Sequence, residues 1–399
     1  MTESMRQRFL DICRFKRTGD LCLLAPWLND FWMETPDVWV RQGAPAEMAD
    51  PRRLRSYFQF DHIRVLREIQ TGLYMDKRLE VLGQTYVYAI PPIIPTYDIR
   101  MLGEDEHTMS LVNEGGQVVR IDKRDPQKMP MYLDHPVKDR ATWQQYKKRL
   151  DPDTPGRFPA DWKAYAARMN AKEEPLLLNV GSFFGFLREW MGLEPLLYAF
   201  FDDPTLIEDM MDTLCEMEKA CIIRAMEDIR VDAAMFWEDM AFKTGPLISP
   251  KMFRRFMMPR YKVITELLRS RGVDIIFVDS DGGLNQLIPL WMESGLNFFW
   301  PLECAAGNDA VELRKKYGKD IILGGNIDKR ALLKTKDVIR EEVMSKVPYL
   351  LEIGGYFPSV DHFVPPDVPF ENYVYLINTL REVAGLPPLP ERPDSQGTA

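Results

Sequence analysis

Short apolar, β-rich runs alternate with longer amphipathic stretches through the second half of the chain, and this alternation restricts the possible folds. A strand, a helix and a further strand in succession indicate parallel βαβ units. The runs are apolar throughout rather than every second residue, which is typical of a sheet covered on both faces. The runs are 233–237, 274–278, 296–300, 320–323 and 354–357.

The first half adds three strand candidates, at 21–27, 85–90 and 176–180, which makes eight in all. Eight parallel strands, each followed by a helix, are typical of a closed (β/α)8 TIM barrel. We therefore predict an α/β fold with one barrel domain over residues 1–386, and a doubly wound open sheet as the second choice. Ser249 and Pro250 predict the start of one barrel helix, over 249–271.

The extra length lies in an N-terminal extension and in an insertion over about 98–165. Residues 98–123 predict a β-hairpin that turns at Gly115 and Gly116. Residues 125–165 are rich in proline and charge, which predicts loops and short helices. The tail over 387–399 is expected to be disordered.

Composition excludes several classes of protein. The chain has 51 Lys and Arg against 60 Asp and Glu, a net charge of −9, which argues against nucleic-acid binding. No apolar run reaches the ~18–20 residues of a membrane span, and no secretory signal is visible, so we expect a cytoplasmic protein without a membrane partner. The five cysteines are odd in number and have no CxxC spacing, which predicts neither disulfides nor a zinc finger.

Polar residues follow five consecutive predicted strands, where a barrel builds its active site. Asp279 and Asp281 stand two apart, so an extended segment would point both to one side. Like charges gathered at one mouth must be protonated, paired or bound to a cation. The strand-end residues that we single out are Glu238, Asp239, Asp279, Asp281, Glu303, Asn326 and His362.

Four segments resemble the uroporphyrinogen decarboxylase-like superfamily: GSFFGFLREWMG (181–192), LISPKMFRRFMMPRY (247–261), GGNID (324–328) and VDHFVPPDVPFENY (360–373). The resemblance covers roughly residues 170–385 and implies a (β/α)8 barrel. Two activities are known on that fold. Decarboxylases remove acetate carboxylates from uroporphyrinogen without a cofactor, and methyltransferases move a methyl group between a small molecule and a corrinoid protein, often with zinc.

The decarboxylase branch fits this sequence poorly. Its arginine-rich motif of the RQAGRY type would grip substrate carboxylates, but the first strand leads into 26–32 (PWLNDFW) without an arginine pair. The second strand ends in Ile-Pro-Pro, where decarboxylases place an aspartate. His362 alone matches the family pattern, ahead of PPDVPFEN.

The methyltransferase branch implies a metal site. Its zinc ligands, His-x-Cys after one strand and Cys after the eighth, correspond here to Asp279, Asp281 and His362. Glu238, Asp239 or Glu303 could add a fourth ligand. Two carboxylates and an imidazole suit a divalent metal, zinc first.

The resulting hypothesis is a methyltransferase that moves a methyl group from a small O-methylated compound to a separate corrinoid protein. The metal would act as a Lewis acid, and Glu238, Asp239 and His362 would be catalytic. The predicted substrate-binding residues are Trp27, Trp237, Arg188 and Asn326. A homodimer is compatible with the resemblance. The alternatives are a cofactor-free decarboxylase that uses His362 and Asp239, and a non-catalytic barrel that binds a small molecule or a corrinoid.

Overall fold

The computed structural model of the chain describes residues 4–69, 92–124 and 129–390, and the backbone of two further strands at 78–81 and 84–87. In chain order the strands are β1 Leu24–Ala25, β2 Asp61–His62, β3 Arg64–Val65, β4 Arg78–Val81, β5 Gln84–Val87, β6 Arg100–Glu104, β7 Thr108–Val112, β8 Val118–Asp122, β9 Met131–Asp134, β10 Leu176–Gly181, β11 Ala233–Trp237, β12 Ala241–Phe242, β13 Gly245–Pro246, β14 Ile276–Asp279, β15 Phe298–Trp300, β16 Ile322–Gly324 and β17 Tyr356–Phe357.

The helices are α1 Met5–Cys13, α2 Thr35–Arg41, α3 Pro51–Tyr57, α4 Arg140–Lys147, α5 Trp162–Asn170, α6 Gly185–Met191, α7 Leu193–Asp202, α8 Pro204–Asp228, α9 Pro250–Met252, α10 Met258–Ser270, α11 Ile288–Glu293, α12 Ala310–Tyr317, α13 Lys336–Met344, α14 Val347–Ile353 and α15 Phe370–Val383. Short 3-10 turns lie at 46–49, 148–150, 304–306, 318–320 and 329–333. None of the helices in the described ranges has both the length and the apolar character needed to cross a bilayer.

Parallel strands form the central sheet, in the order β17-β16-β15-β14-β11-β10-β3. The parallel pair of β1 and β2 continues it, because β2 directly precedes β3 in the chain. A parallel bridge between Phe31 and Val364 brings the segment after β1 beside the segment after β17. These pairings confirm the predicted (β/α)8 barrel over the doubly wound alternative.

The N-terminal helix α1 lies across the end of the barrel where the strands begin. Its Arg6 pairs with Asp232 at 2.7 Å and its Arg14 with Asp274 at 2.8 Å, and these aspartates precede β11 and β14. Phe9 of α1 is buried with the inward-facing side chains of the strands. The opposite end, where the strands finish, is therefore the end that can hold a site.

The prediction of a second barrel strand at 85–90 was wrong. The second strand position is filled by β2 and β3, whereas β5 pairs antiparallel with β4 in a separate hairpin. Residues 88–90 lie outside the described residues. Strands β2 and β3 have only two residues each and carry Asp, His and Arg, so they lack the apolar run by which we identified barrel strands. Residues 85–90 have such a run, and they were therefore selected instead.

The predicted hairpin over 98–123 is confirmed, and it belongs to a larger antiparallel sheet. Strands β7 and β8 form it, and β6 and β9 flank them in the order β6-β7-β8-β9. Four buried residues, Met109, Leu111, Val119 and Ile121, give this sheet a core of its own. Strand β9 lies in the stretch where we expected loops and short helices.

The predicted helix at 249–271 is present with one irregularity. The Ser249 hydroxyl caps it by accepting the Met252 N–H, and a π-helical turn over 253–257 separates α9 from α10. At the other terminus, Leu389 is buried and its N–H donates to Asn378. Residues 391–399 of the tail expected to be disordered lie outside the described residues.

Candidate active site

The backbone is strained where three barrel strands end. Trp27, Asp239 and Asn326 have φ values of +94°, +41° and +67°, a region that non-glycine residues rarely adopt. Each follows a strand, β1, β11 or β16, at the carboxyl end where barrels hold their active sites. Strain of this kind persists only where the surroundings impose it, and it is concentrated at functional sites.

Three aspartates meet at this end of the barrel. The Asp281 N–H donates to Asp239 Oδ1 at 3.3 Å, and Asp279 lies in register with Trp237 on the neighbouring strand. Burial and the charge of Asp281 raise the pKa of Asp239 to about 6. Burial and the charges of Asp239 and Asp281 raise the pKa of Asp279 above its ordinary value of 3.8. The cluster therefore retains protons that isolated aspartates would lose.

Asp279 and Asp281 do not occupy equivalent positions. Asp279 ends β14, is buried, and accepts a 2.7 Å hydrogen bond from the Trp27 indole N–H. Asp281 lies beyond the strand, with 43% of its side chain exposed. The expectation that both point to one side assumed an extended segment through residue 281, but the strand ends two residues earlier.

His362 joins the cluster through Asp281. Its Nε2 lies 3.4 Å from Asp281 Oδ1, and its ring lies between the indoles of Trp32 and Trp300 at 5.9 and 6.2 Å. Burial lowers the pKa of His362, but the hydrogen bond and charge of Asp281 outweigh burial and leave it above 6.5. The contact with Asp281 thus favours the protonated form of the ring, which stacks on both indoles.

Arg188 is committed to protein groups. Its Nη1 donates to the Asp239 carbonyl at 2.7 Å, and its Nη2 lies 3.5 Å from the Asp239 carboxylate and 3.6 Å from Glu189. Its guanidinium lies 5.0 Å from the centre of the Trp237 ring, which is itself 8% exposed. The geometry favours a role for Arg188 in holding Asp239 rather than in meeting a substrate carboxylate.

Glu238 points away from the cluster. Its fully buried carboxylate accepts the Ser182 hydroxyl at 2.9 Å, backbone N–H groups of residues 183–185, and the Tyr261 hydroxyl at 2.5 Å. These donors fix the start of α6, the helix that carries Arg188. The structure therefore favours an anchoring role for Glu238 over the predicted catalytic one.

Asn326 is likewise an anchor. It is fully buried, its amide N–H groups donate to the carbonyls of Leu302 and Asn308, and its side-chain oxygen accepts the Ala310 N–H. Both the amide nitrogen and the amide oxygen of Asn326 are therefore already hydrogen-bonded within the protein. The prediction that it binds substrate is not favoured by this geometry.

The predicted metal ligands do not assemble into one set. Asp281 and His362 are in contact, but Asp279 binds Trp27, and Glu303 accepts the Gly282 N–H at 2.9 Å. Across the described residues, no three His, Cys, Asp or Glu side chains are grouped to hold a metal ion. The four residues therefore do not fit the zinc site that the resemblance implied.

Zinc is accordingly expected to leave the stability of the protein unchanged. A ligand that binds only the folded state raises Tm, and without a converged ligand set we expect a shift below about 1 °C with Zn²⁺ or EDTA. Differential scanning fluorimetry of the wild type and of Asp281→Asn measures this. A rise of several degrees that the variant abolishes would contradict the expectation.

Sequence reasoning did not select three residues that the structure brings to this site. Trp300 ends β15 in register with Asp279 and packs on His362. Lys329 lies 3.6 Å from Glu303, and the buried Asp361 accepts the Lys329 N–H at 3.0 Å. Asp361 was visible as the neighbour of His362, but the partners of Lys329 become apparent only in three dimensions.

Comparison with solved structures shows the fold. A methyltransferase from Methanosarcina mazei has a TM-score of 0.52 to this chain, with 13% sequence identity over 96% of this chain and 98% of that one. At this identity the likeness extends to the barrel architecture and not to a shared reaction.

Comparison with known sequences shows the family. A uroporphyrinogen decarboxylase of Legionella pneumophila is 30% identical over 151 residues, which are 36% of this chain and 41% of that protein. A chloroplastic uroporphyrinogen decarboxylase of Zea mays is 22% identical over 186 residues, 46% of this chain and 44% of that protein. These matches span less than half the length of either relative.

The family model described as uroporphyrinogen decarboxylase (URO-D) matches residues 117–383, two thirds of the chain. The chain therefore belongs to the uroporphyrinogen decarboxylase family.

Proposed function

We propose that this protein transfers a methyl group from a small O-methylated compound to a corrinoid on a separate protein. The observation that carries the proposal is the aspartate cluster at the barrel mouth, in which the pKa of Asp239 is raised to about 6. A proton donor is most effective when its pKa lies near the working pH. The corrinoid would supply the cobalt atom that receives the methyl group.

Asp239 is the proton donor in this proposal. When the C–O bond of the methyl ether breaks, its electron pair stays on the oxygen, and the Asp239 carboxyl gives that oxygen its proton. The product is an alcohol or a phenol, and Asp239 is left as a carboxylate beside Arg188. The 3.5 Å approach of Arg188 Nη2 then stabilises the new negative charge.

Proton donation takes the place that the sequence analysis gave to a metal. Asp279 and Glu303 bind the N–H groups of Trp27 and Gly282 instead of joining the contact between Asp281 and His362. The acid pair Asp239 and Asp281, in contrast, is joined by a hydrogen bond. In this proposal His362, which contacts Asp281 and stacks on Trp32, is a second proton donor in the same cluster.

Loss of the Asp239 proton is expected to reduce methyl transfer strongly. We expect Asp239→Asn to lower the rate by roughly 100-fold or more, the usual contribution of a general acid. The wild-type kcat/KM should fall as the pH rises above about 6, because the acid form of Asp239 is then lost. The assay follows methylcobalamin formation from 4-methoxybenzyl alcohol and cob(I)alamin.

The exposed residue Asp367 provides the matched control, since Asp367→Asn makes the same chemical change at a surface position outside the strands of the central sheet. That variant should retain the wild-type rate. Equal rates for Asp239→Asn and the wild type would contradict the proposal, as would the absence of methylcobalamin with the wild type.

Decarboxylation of a porphyrinogen is the second candidate, favoured by the curated relatives. It would use His362 and Asp239. A polyanionic substrate requires unpaired cations, since burying unpaired carboxylates is costly. The cationic side chains of this cluster are already paired: Arg188 with Asp239 and Glu189, Lys329 with Glu303, and His362 with Asp281. Uroporphyrinogen turnover that His362→Ala abolishes would establish this candidate instead.

A further inference from the structure

Two tryptophans flank Asp279, and their indole N–H groups differ. The Trp27 N–H donates to Asp279 Oδ2 at 2.7 Å. The Trp300 N–H is buried and has no hydrogen-bond partner among the residues that the structure describes. A buried polar group without a partner costs free energy, so its persistence needs an explanation.

Trp300 lies inside the candidate site. It is the register partner of Asp279 on the neighbouring parallel strand, so both side chains stand on the inner face of the barrel. Its ring packs against His362 at 6.2 Å and Phe363 at 6.0 Å. Gly324 permits this position, because a Cβ there would lie 3.0 Å from the Trp300 ring. The residue that carries the unpaired donor therefore packs on His362 and lies in register with Asp279.

The charges of the site restrict what that donor can bind. Arg188 lies between two carboxylates at 3.5 and 3.6 Å, and Lys329 lies 3.6 Å from Glu303 and 4.0 Å from Asp361. Both cations are thus neutralised within the protein. An anionic ligand would meet the exposed carboxylate of Asp281, and the His362 ring that faces this carboxylate is already paired with it.

We propose that the Trp300 indole N–H binds an uncharged oxygen of the substrate, so that this site takes neutral oxygen-bearing compounds and rejects anions of the same shape. The binding preference stands independently of the reaction. Only the statement that the bound oxygen is the one protonated by Asp239 rests on the proposed function. An ether or hydroxyl oxygen accepts one hydrogen bond and brings no charge into the cluster. Trp300 then selects and orients the oxygen that Asp239 protonates.

Isothermal titration calorimetry with two compounds of one shape tests the charge preference. We expect 4-methoxybenzyl alcohol to bind the wild type at least 10-fold more tightly than 4-methoxybenzoate. Asp281→Asn should reduce the difference in affinity between the alcohol and the benzoate, because it removes the exposed negative charge. Equal or tighter binding of the benzoate to the wild type, or no binding of the alcohol at millimolar concentration, would overturn the inference.

Trp300→Phe tests the hydrogen bond, since it removes the N–H and keeps an aromatic ring. We expect a loss of about 10-fold in affinity for the alcohol, the usual effect of one hydrogen bond. Trp190→Phe is the matched control, because Trp190 is also a fully buried tryptophan but stacks on Trp143 outside the site. In the wild type, the Trp300 indole N–H resonance should move downfield when the alcohol is added.

The outcomes separate the two proposals. Unchanged affinity in Trp300→Phe together with an unmoved indole resonance would overturn the role of Trp300. Selective binding of the alcohol without methylcobalamin formation would overturn the proposed methyl transfer and leave the binding inference standing.

Discussion

Replacing Glu238 by alanine is expected to lower the free energy of unfolding by about 4 kcal/mol, because four buried donors would lose their acceptor at roughly 1 kcal/mol each. These four are the closest donors, the hydroxyls of Ser182 and Tyr261 and the N–H groups of Phe183 and Phe184, and the Gly185 N–H lies farther away at 3.4 Å. Such a loss is a large part of the ~5–15 kcal/mol that stabilises a typical domain. Urea denaturation followed by circular dichroism measures it.

Two variants keep this prediction testable if the alanine variant fails to fold. Glu238→Gln retains an acceptor oxygen and nearly the same volume, so we expect a loss of roughly 1–2 kcal/mol. Glu216→Ala, whose side chain is 71% exposed on α8, should change stability by less than about 0.5 kcal/mol. A loss below about 1 kcal/mol in Glu238→Ala would show that the donors find other partners.

Replacing Asp279 by asparagine is expected to stabilise the protein at alkaline pH. Burial and two neighbouring aspartates raise the pKa of Asp279, so the folded state holds a proton that the unfolded chain releases above 3.8. The contribution of this proton to the free energy of unfolding is fully present below pH 3.8. It is lost as the pH rises through the pKa of Asp279 in the folded state. Asparagine has no charge that must be buried, so the variant does not lose stability as the pH rises.

We expect Asp279→Asn to exceed the wild type in unfolding free energy by about 1 kcal/mol at pH 8, in the range usual for stabilising changes at functional sites. The difference should shrink as the pH falls toward 4. The asparagine side-chain oxygen can still accept the Trp27 N–H, so that contact is kept. Asp367→Asn, exposed on the surface, should show no such trend, and a pH-independent difference for Asp279→Asn would contradict the explanation.

The placement of the site could be predicted from the sequence because parallel strands share one direction. Once 274–278 and 354–357 are identified as barrel strands, Asp279 and His362 must come to the same end, and the structure places both there. The contact between Asp281 and His362 does not follow from this rule, because β15 and β16 lie between the two strands that carry them.

The roles of individual strand-end residues could not be predicted in the same way. Glu238 and Asp239 are adjacent in sequence, but the Glu238 carboxylate binds donors of residues 182–185 and of Tyr261. Asp239 instead adopts a strained φ and turns to the mouth of the barrel. Asn326 is held by carbonyls of another loop. These partners come from segments whose approach depends on the finished barrel, so strand order alone carries no information about them.

The closure of the barrel by α1 has a consequence for synthesis in the cell. The ion pair of Arg14 cannot form until Asp274, 260 residues later in the chain, has been synthesised. At the ~5–20 residues per second of translation, this interval lasts on the order of tens of seconds. Throughout it, Phe9, Leu10 and Ile12 have no finished barrel to bury them. A nascent chain of this protein is therefore expected to be a substrate for chaperones that shield apolar segments at the ribosome, until the second half of the barrel emerges.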